Sequence, residues 1–424
     1  MRAALLALLS GYVAVQVFKC VLDYLNLRSA RRGNHQVPPQ LEGVVDGALL
    51  GRMQRYLVEK TRFDMAVTAF SGLVVLLFLF CGLLDAYNSR IASMGLPFVT
   101  SGWLFFLILY LVWALLTVPF TLYSIFRIEN RYGFNTMTVR LWLVDFLKGT
   151  MLSLVLLSLA VLAGLLLVQW SPRLWWFWVW CFFLVFTVFI TYIAPSVIEP
   201  LFNTFTPLEE GPLKERIVSL AASAGITVGK VLKMDESKRS SHTNAYFTGL
   251  GRTKRIILFD TLLVSMTADQ ILAVLAHEMG HWKGRHLLKG LALAETGSLL
   301  FLFCGFQALG SHLLDGLFAI HVDTFFAKAV IAAFFAGICS FLLRPLVNGF
   351  TRRLETEADR FACDVEGRGE TMIEVLVQLS KDNLSNLWPH PLYVLFNYSH
   401  PPVLRRISSI REYCGTKARR VGGV

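Results

Sequence analysis

Seven apolar stretches interrupt the chain: residues 3 to 25, 65 to 87, 101 to 125, 150 to 170, 174 to 200, 291 to 314 and 325 to 347. Each is near the length of about 20 residues that a helix needs to cross a hydrocarbon layer. The first follows Arg2 and has the look of a secretory leader, but no small-residue cleavage site follows and the apolar pattern continues to Leu25. It reads as a retained span. Pro195 and Pro200, with Glu199 between them, interrupt the end of the fifth stretch. A kinked or broken exit is expected there.

The polar residues fall into two long segments. In residues 201–290, Lys214 to Gly225 has the period of an amphipathic helix, with Ile217, Leu220 and Ala221 on one face. Val228 to Met234 is short and β-like, and Asp235 to Thr243 is loop. Asn244 to Gly249 and Lys254 to Phe259 predict a hairpin with Gly249 and Gly251 at the turn. Ala268 to Lys289 predicts one continuous helix. Residues 349–424 open with another, containing Arg352 to Gly367. The expected fold is thus a mainly α integral membrane protein in four parts: spans one to five (1–200), a polar insertion (201–290), spans six and seven (291–348) and a C-terminal segment (349–424).

Composition and charge agree. Hydrophobic residues make up 55% and charged residues 16%, with 33 Phe and 10 Trp, more than a soluble core could hide. Arg28, Arg31, Arg32, Arg52, Arg55, Lys60 and Arg62 follow span one, and Arg127, Arg131, Arg140 and Lys148 follow span three. After spans two, four and six there are only Arg90, Arg173 and, at the margin, Lys328. The positive-inside rule puts the odd-numbered connections and the C-terminus in the cytoplasm, with the N-terminus outside. The net charge of +11 then reflects topology and attraction to membrane lipids, with no nucleic-acid motif in sight. The seven cysteines lack C-x-x-C spacing and suggest neither a disulfide framework nor zinc ligands.

Chemistry enters at His277-Glu278-Met279-Gly280-His281. On a helix, i and i+4 share a face, so His277 and His281 can bind one Zn²⁺ while Glu278 reaches a water beside it. A third protein ligand is needed. His286 lies roughly 140° further round a continuous helix than His281, Glu295 would be roughly 27 Å from His277 along the axis, and position 287 is leucine. Glu355 and Asp359, at i and i+4, offer a metal-binding carboxylate and a partner to orient a ligating histidine. Glu357 faces elsewhere and can pair with Arg353.

The sequence resembles the type 1 CAAX prenyl proteases, integral-membrane zinc endopeptidases. The likeness rests on His277 to Lys283, Glu355 to Asp359, Asn244 to Gly249 followed by Ile256 to Leu262, and Ser399-His400-Pro401-Pro402 with Arg406. Weaker echoes are Lys60 to Phe63, Tyr132 to Asn135 and Pro200 to Asn203. The resemblance implies seven spans around a water-filled chamber, closed toward the cytoplasm by the zinc domain. It also implies an extended substrate held by strand addition at Asn244, Ala245 and Tyr246. The expected substrate is a C-a-a-X or other membrane-associated peptide, lipidated in eukaryotic members. In the resulting mechanism Glu278 is the base and His400 or Arg406 stabilises the oxyanion. The chain looks short for the group and Val421 to Val424 carries no dilysine signal, so a bacterial inner membrane is expected, or the endoplasmic reticulum membrane for a eukaryotic source. Two rivals are a four-span quality-control metallopeptidase, disfavoured by seven spans, and a transporter or lipid-binding protein with structural zinc. A structural site has no use for Glu278 and normally has four protein ligands.

Overall fold

The computed structural model describes residues 2–32, 37–248, 253–310, 318, 320–367 and 369–421. Among the described residues, seven helices are long and apolar enough to cross a membrane: Leu5–Arg31, Gly47–Phe80, Phe98–Glu129, Val139–Trp170, Trp175–Leu201, His286–Leu309 and Phe325–Val365. Their number matches the seven apolar stretches, but several extend well past them because polar residues continue the helix beyond the apolar run. The second begins at Gly47, capped by the Asp46 side chain. The fifth ends as expected, in a π-helical turn over Ala194–Ile198 and a 3-10 turn over Glu199–Leu201.

The last helix matters most for function. Phe325–Glu366 is a single helix of 42 residues. At 1.5 Å per residue it spans about 60 Å, twice the hydrocarbon thickness. The seventh span and the helix expected from Arg352 are therefore one rod, which projects Glu355 and Asp359 beyond the apolar layer.

Two hydrophobic cores sit at opposite ends of the spans. One gathers the connections after spans one, three and five with the C-terminal segment, through Leu50, Ile128, Ile256, Leu275, Met279, Val375 and Ile407. The other joins the connection after span two to the start of span seven, through Leu79, Leu84, Ile91, Phe326 and Ile331. Between them neighbouring spans pack in pairs yet keep most of their apolar surface uncovered by protein, with no more than 11% of the apolar window buried in six of the seven.

The polar insertion holds a four-stranded mixed sheet where a hairpin and one β-like segment, Val228 to Met234, were expected. Strands β1 (Phe205–Pro207), β2 (Thr227–Met234), β3 (Ala245–Thr248) and β4 (Thr253–Phe259) lie in the order β1-β2-β4-β3, with β2 and β4 parallel. The hairpin partners do pair, Ala245 opposite Leu258 and Thr248 opposite Arg255. The Gly249 and Gly251 turn lies outside the described residues. The parallel pairing was hidden because the connection from β2 to β4 runs through β3, with no α-helix among the described residues to signal a crossover, and β2 alternates only weakly; the helix Pro212–Ser223 joins the antiparallel strands β1 and β2.

Candidate active site

The motif helix, Ala268–Lys283, starts in a capping box. The Thr267 hydroxyl accepts from the Gln270 N–H, and Gln270 Oε1 accepts from the Thr267 N–H. That start sinks Ile271, Leu275 and Met279 into the core and presents His277 and His281 one turn apart, their Nε2 atoms separated by 3.2 Å. Glu355 arrives from the long helix, with Oε2 3.4 Å from His277 Nε2 and Oε1 3.4 Å from His281 Nε2. The two helices cross at Gly280. A Cβ there would lie 2.8 Å from Ala358 Cα and 3.0 Å from its carbonyl oxygen, so only glycine permits this approach.

One donor atom from each of the three side chains lies within 4.8 Å of the others. Glu355 Oε2 is buried and has no hydrogen-bond partner among the described residues. A buried carboxylate oxygen without a donor is costly, and a cation would supply what is missing. Two imidazoles and a carboxylate fit a divalent transition metal.

Behind the ligands, Asp359 Oδ1 lies 2.9 Å from His277 Nδ1, close but outside hydrogen-bond alignment. Arg406 grips the same carboxylate through Nε to Oδ2 at 2.9 Å and Nη2 to Oδ1 at 2.5 Å. Burial disfavours a charged His277, yet the Asp359 and Glu355 carboxylates prevail and hold it up to about 9. Burial, then the positive charge on His277, push His281 down to about 4. The pocket thus favours one positive charge between the rings, the charge state that a cation between them would replace. Glu278 is raised, first by burial.

His400 also reaches the centre, with Nε2 3.1 Å from Glu355 Oε1 and Nδ1 2.8 Å from Ser399 Oγ, although its side chain is 60% exposed. Ala245 to Thr248 form the edge strand of the sheet and pack beside the motif helix. The Phe259 N–H donates to the Asn244 carbonyl, so by alternation the Ala245 and Phe247 backbone groups face the free edge. Asn244 Oδ1 accepts from the Ala245 N–H at 2.9 Å, and the Tyr246 hydroxyl donates to Glu199 Oε2 at 2.7 Å.

Two sequence expectations are corrected. His286 does not turn away: the motif helix stops at Gly284, Arg285 takes a left-handed φ of 53°, and a new helix begins at His286. The redirected ring sits with Nδ1 2.9 Å from His281 Nδ1 and Nε2 3.1 Å from Glu357 Oε2. Glu357 accordingly pairs with His286 and Lys289, not with Arg353. The Gly-Arg-His run at 284–286 was the available signal for a break. His242 was missed altogether; it stacks on Phe134 at 4.4 Å and bonds Asn383 through Nδ1 at 2.6 Å.

Comparison with known proteins bears on the same features. Residues 26–204 match the family model described as CAAX prenyl protease N-terminal, five membrane helices, and residues 207–414 match peptidase family M48. The chain is 33% identical to a CAAX prenyl protease 1 homolog of Oryza sativa over 96% of its own length and 97% of the relative's. It is 31% identical to the CAAX prenyl protease 1 of Saccharomyces cerevisiae, covering 97% and 96%. The crystal structure of S. mikatae Ste24p superposes with a TM-score of 0.88 at 28% identity, over 95% of this chain and 97% of that one. The near-complete coverage of the rice protein removes the impression that the chain is short for the group. Seven helices fit to span a membrane, a group of two histidines from the HExxH helix and one glutamate from the long helix that could hold a metal, and relatives matched over nearly their full length lead to one conclusion: the chain belongs to the CAAX prenyl protease 1 family of M48 membrane metallopeptidases.

Proposed function

We propose that the metal is zinc and that His277, His281 and Glu355 bind it. The orphaned Oε2 of Glu355, facing two imidazoles, is the observation that carries this reading. When bound, zinc supplies Lewis acidity toward the scissile carbonyl and makes water a stronger acid. Glu278 accepts the proton of the attacking water and delivers it to the leaving amine; its raised carboxyl suits both halves of that transfer. His400, reachable from solvent and next to Glu355, donates to the developing oxyanion. Arg406, gripping Asp359, acts by positioning: it holds the carboxylate that holds His277. The free edge at Ala245 binds the substrate backbone as an added strand, with Asn244 and Tyr246 fixing its register. The basic connections after spans one and three lie on the metal-site side, so we assign that side to the cytoplasm, in a bacterial inner membrane or in the endoplasmic reticulum alike. A lipidated C-terminus suits a site borne by apolar spans whose surfaces meet membrane lipid.

The test is hydrolysis of a quenched C-a-a-X peptide by the purified full-length chain. Cleavage that stops with chelator, returns with Zn²⁺ and is absent in Glu278→Gln with zinc still bound supports the assignment. A Glu278→Gln rate within about tenfold of wild type removes Glu278 as base. Equal turnover of farnesylated and bare peptides shifts the reading to a membrane peptidase without prenyl specificity.

A further inference from the structure

Away from the metal, the end of the first spanning helix, the start of the second and the end of the third surround a cleft of about 1290 Å³. Arg31, Arg52, Arg55, Arg62 and Arg131 line it, against one carboxylate, Glu59. All five arginines are exposed. Two have partners: Arg131 Nη1 donates to Glu59 Oε1 at 2.7 Å, and Arg52 Nη2 to the Tyr132 carbonyl at 2.6 Å. Arg31, Arg55 and Arg62 enter no hydrogen bond or ion pair among the described residues. The remaining wall is aromatic. Phe63 stacks on Tyr123, with ring centres 5.2 Å apart and planes 20° apart, and Phe120 lies beside them.

A site with this lining asks for two things at once. The surplus of guanidinium groups calls for an anion, and their forked donors match phosphate oxygens. The aromatic wall, at the ends of spans where hydrocarbon meets water, calls for an alkyl chain. A free anion would leave the wall unused, and a zwitterionic lipid would leave the charge unmatched. We propose that this cleft binds the phosphodiester headgroup of an anionic phospholipid, with its acyl chains against Phe63, Phe120 and Tyr123. None of the lining residues belongs to the metal site, so the proposal stands apart from the proteolytic mechanism.

Phosphatidylglycerol is titrated into the full-length protein in detergent micelles and bound copies are counted by native mass spectrometry, with phosphatidylcholine and inorganic phosphate as comparators. Arg55→Gln with Arg62→Gln should weaken phosphatidylglycerol binding by about tenfold or more, leave phosphatidylcholine retention unchanged and leave peptide hydrolysis in lipid-free detergent unchanged. Arg55→Lys with Arg62→Lys, matched in thermal unfolding, should recover most of the affinity. The proposal is overturned if the glutamine variant binds phosphatidylglycerol like wild type, or if phosphatidylcholine binds equally well. It is also overturned if inorganic phosphate displaces the lipid at equal concentration, which would mark a simple anion site, or if a peptide with a free C-terminal carboxylate does so, which would mark a substrate surface.

Discussion

His400 and Arg406 differ in what they are free to do. Both nitrogens on one edge of the Arg406 guanidinium are engaged by Asp359, and its side chain is 12% exposed, so it has little to offer a tetrahedral intermediate. Among the described residues His400 is anchored only through Ser399 and Glu355, and it stays open to solvent. His400→Ala should therefore lower kcat by about 10² to 10³ with little change in KM and full zinc content. Arg406→Ala leaves the buried Asp359 without its guanidinium partner, so the carboxylate beside His277 is less firmly held, and should lower zinc content as well as rate. Steady-state kinetics with metal analysis of both variants checks this. Normal kcat in His400→Ala with loss only in zinc-loaded Arg406→Ala would make Arg406 the donor.

At the scale of elements, the site depends on how closely two helices cross and on how the zinc domain is tied to the spans. Gly280→Ala puts a methyl group against the Ala358 backbone, which cannot rotate aside. The helices must separate, at about 1 to 3 kcal/mol, and Glu355 moves off the histidines. Zinc affinity should fall about 10- to 100-fold with Glu278 untouched, as read by competition with a chelating dye. The tie to the spans runs through His242, raised first by the Glu129 carboxylate 3.9 Å away and then by Asn383. A raised imidazole stabilises the fold fully in acid, and that contribution is lost as pH rises through its folded pKa. Wild type should therefore be more stable to thermal unfolding than His242→Gln in acid, by no more than about 1 kcal/mol for this half-exposed pair, with the gap closing as pH rises through the raised folded pKa. A gap that widens with pH would rule out the charged pair.

For the whole molecule, the two cores at opposite ends of the spans make a topological prediction. In a background with the seven cysteines replaced by serine, Met94→Cys, 48% exposed on the connection after span two, should react with an impermeant maleimide in intact cells. Glu210→Cys, in the segment carrying the metal site, should react only after permeabilisation. The opposite pattern would place the active site outside the cytoplasm. Asn88 is unsuited as a probe position despite its place in that connection, because it is 1% exposed and donates to the Val322 carbonyl at 2.7 Å.

Properties carried by local spacing could be read without a structure. Length and apolarity decide whether a helix spans, so the seven spans were legible, and so was the broken exit at Pro195 and Pro200. The i, i+4 spacing brings His277 beside His281, and Glu355 and Asp359 onto one face, before any folding is known. Relations between distant segments were decided only in three dimensions. The left-handed Arg285 redirected His286 into the histidine cluster, a single 42-residue helix carried Glu355 to the motif helix, and β2 became the parallel neighbour of β4 although β3 lies between them in sequence. Arg406 could be associated with the site from sequence, but its orientation toward Asp359 came from the packing of the C-terminal helix, Val403–Val421, against the long helix. Side-chain direction at such a crossing depends on which ridge meets which groove, and that information is held jointly by two segments of chain.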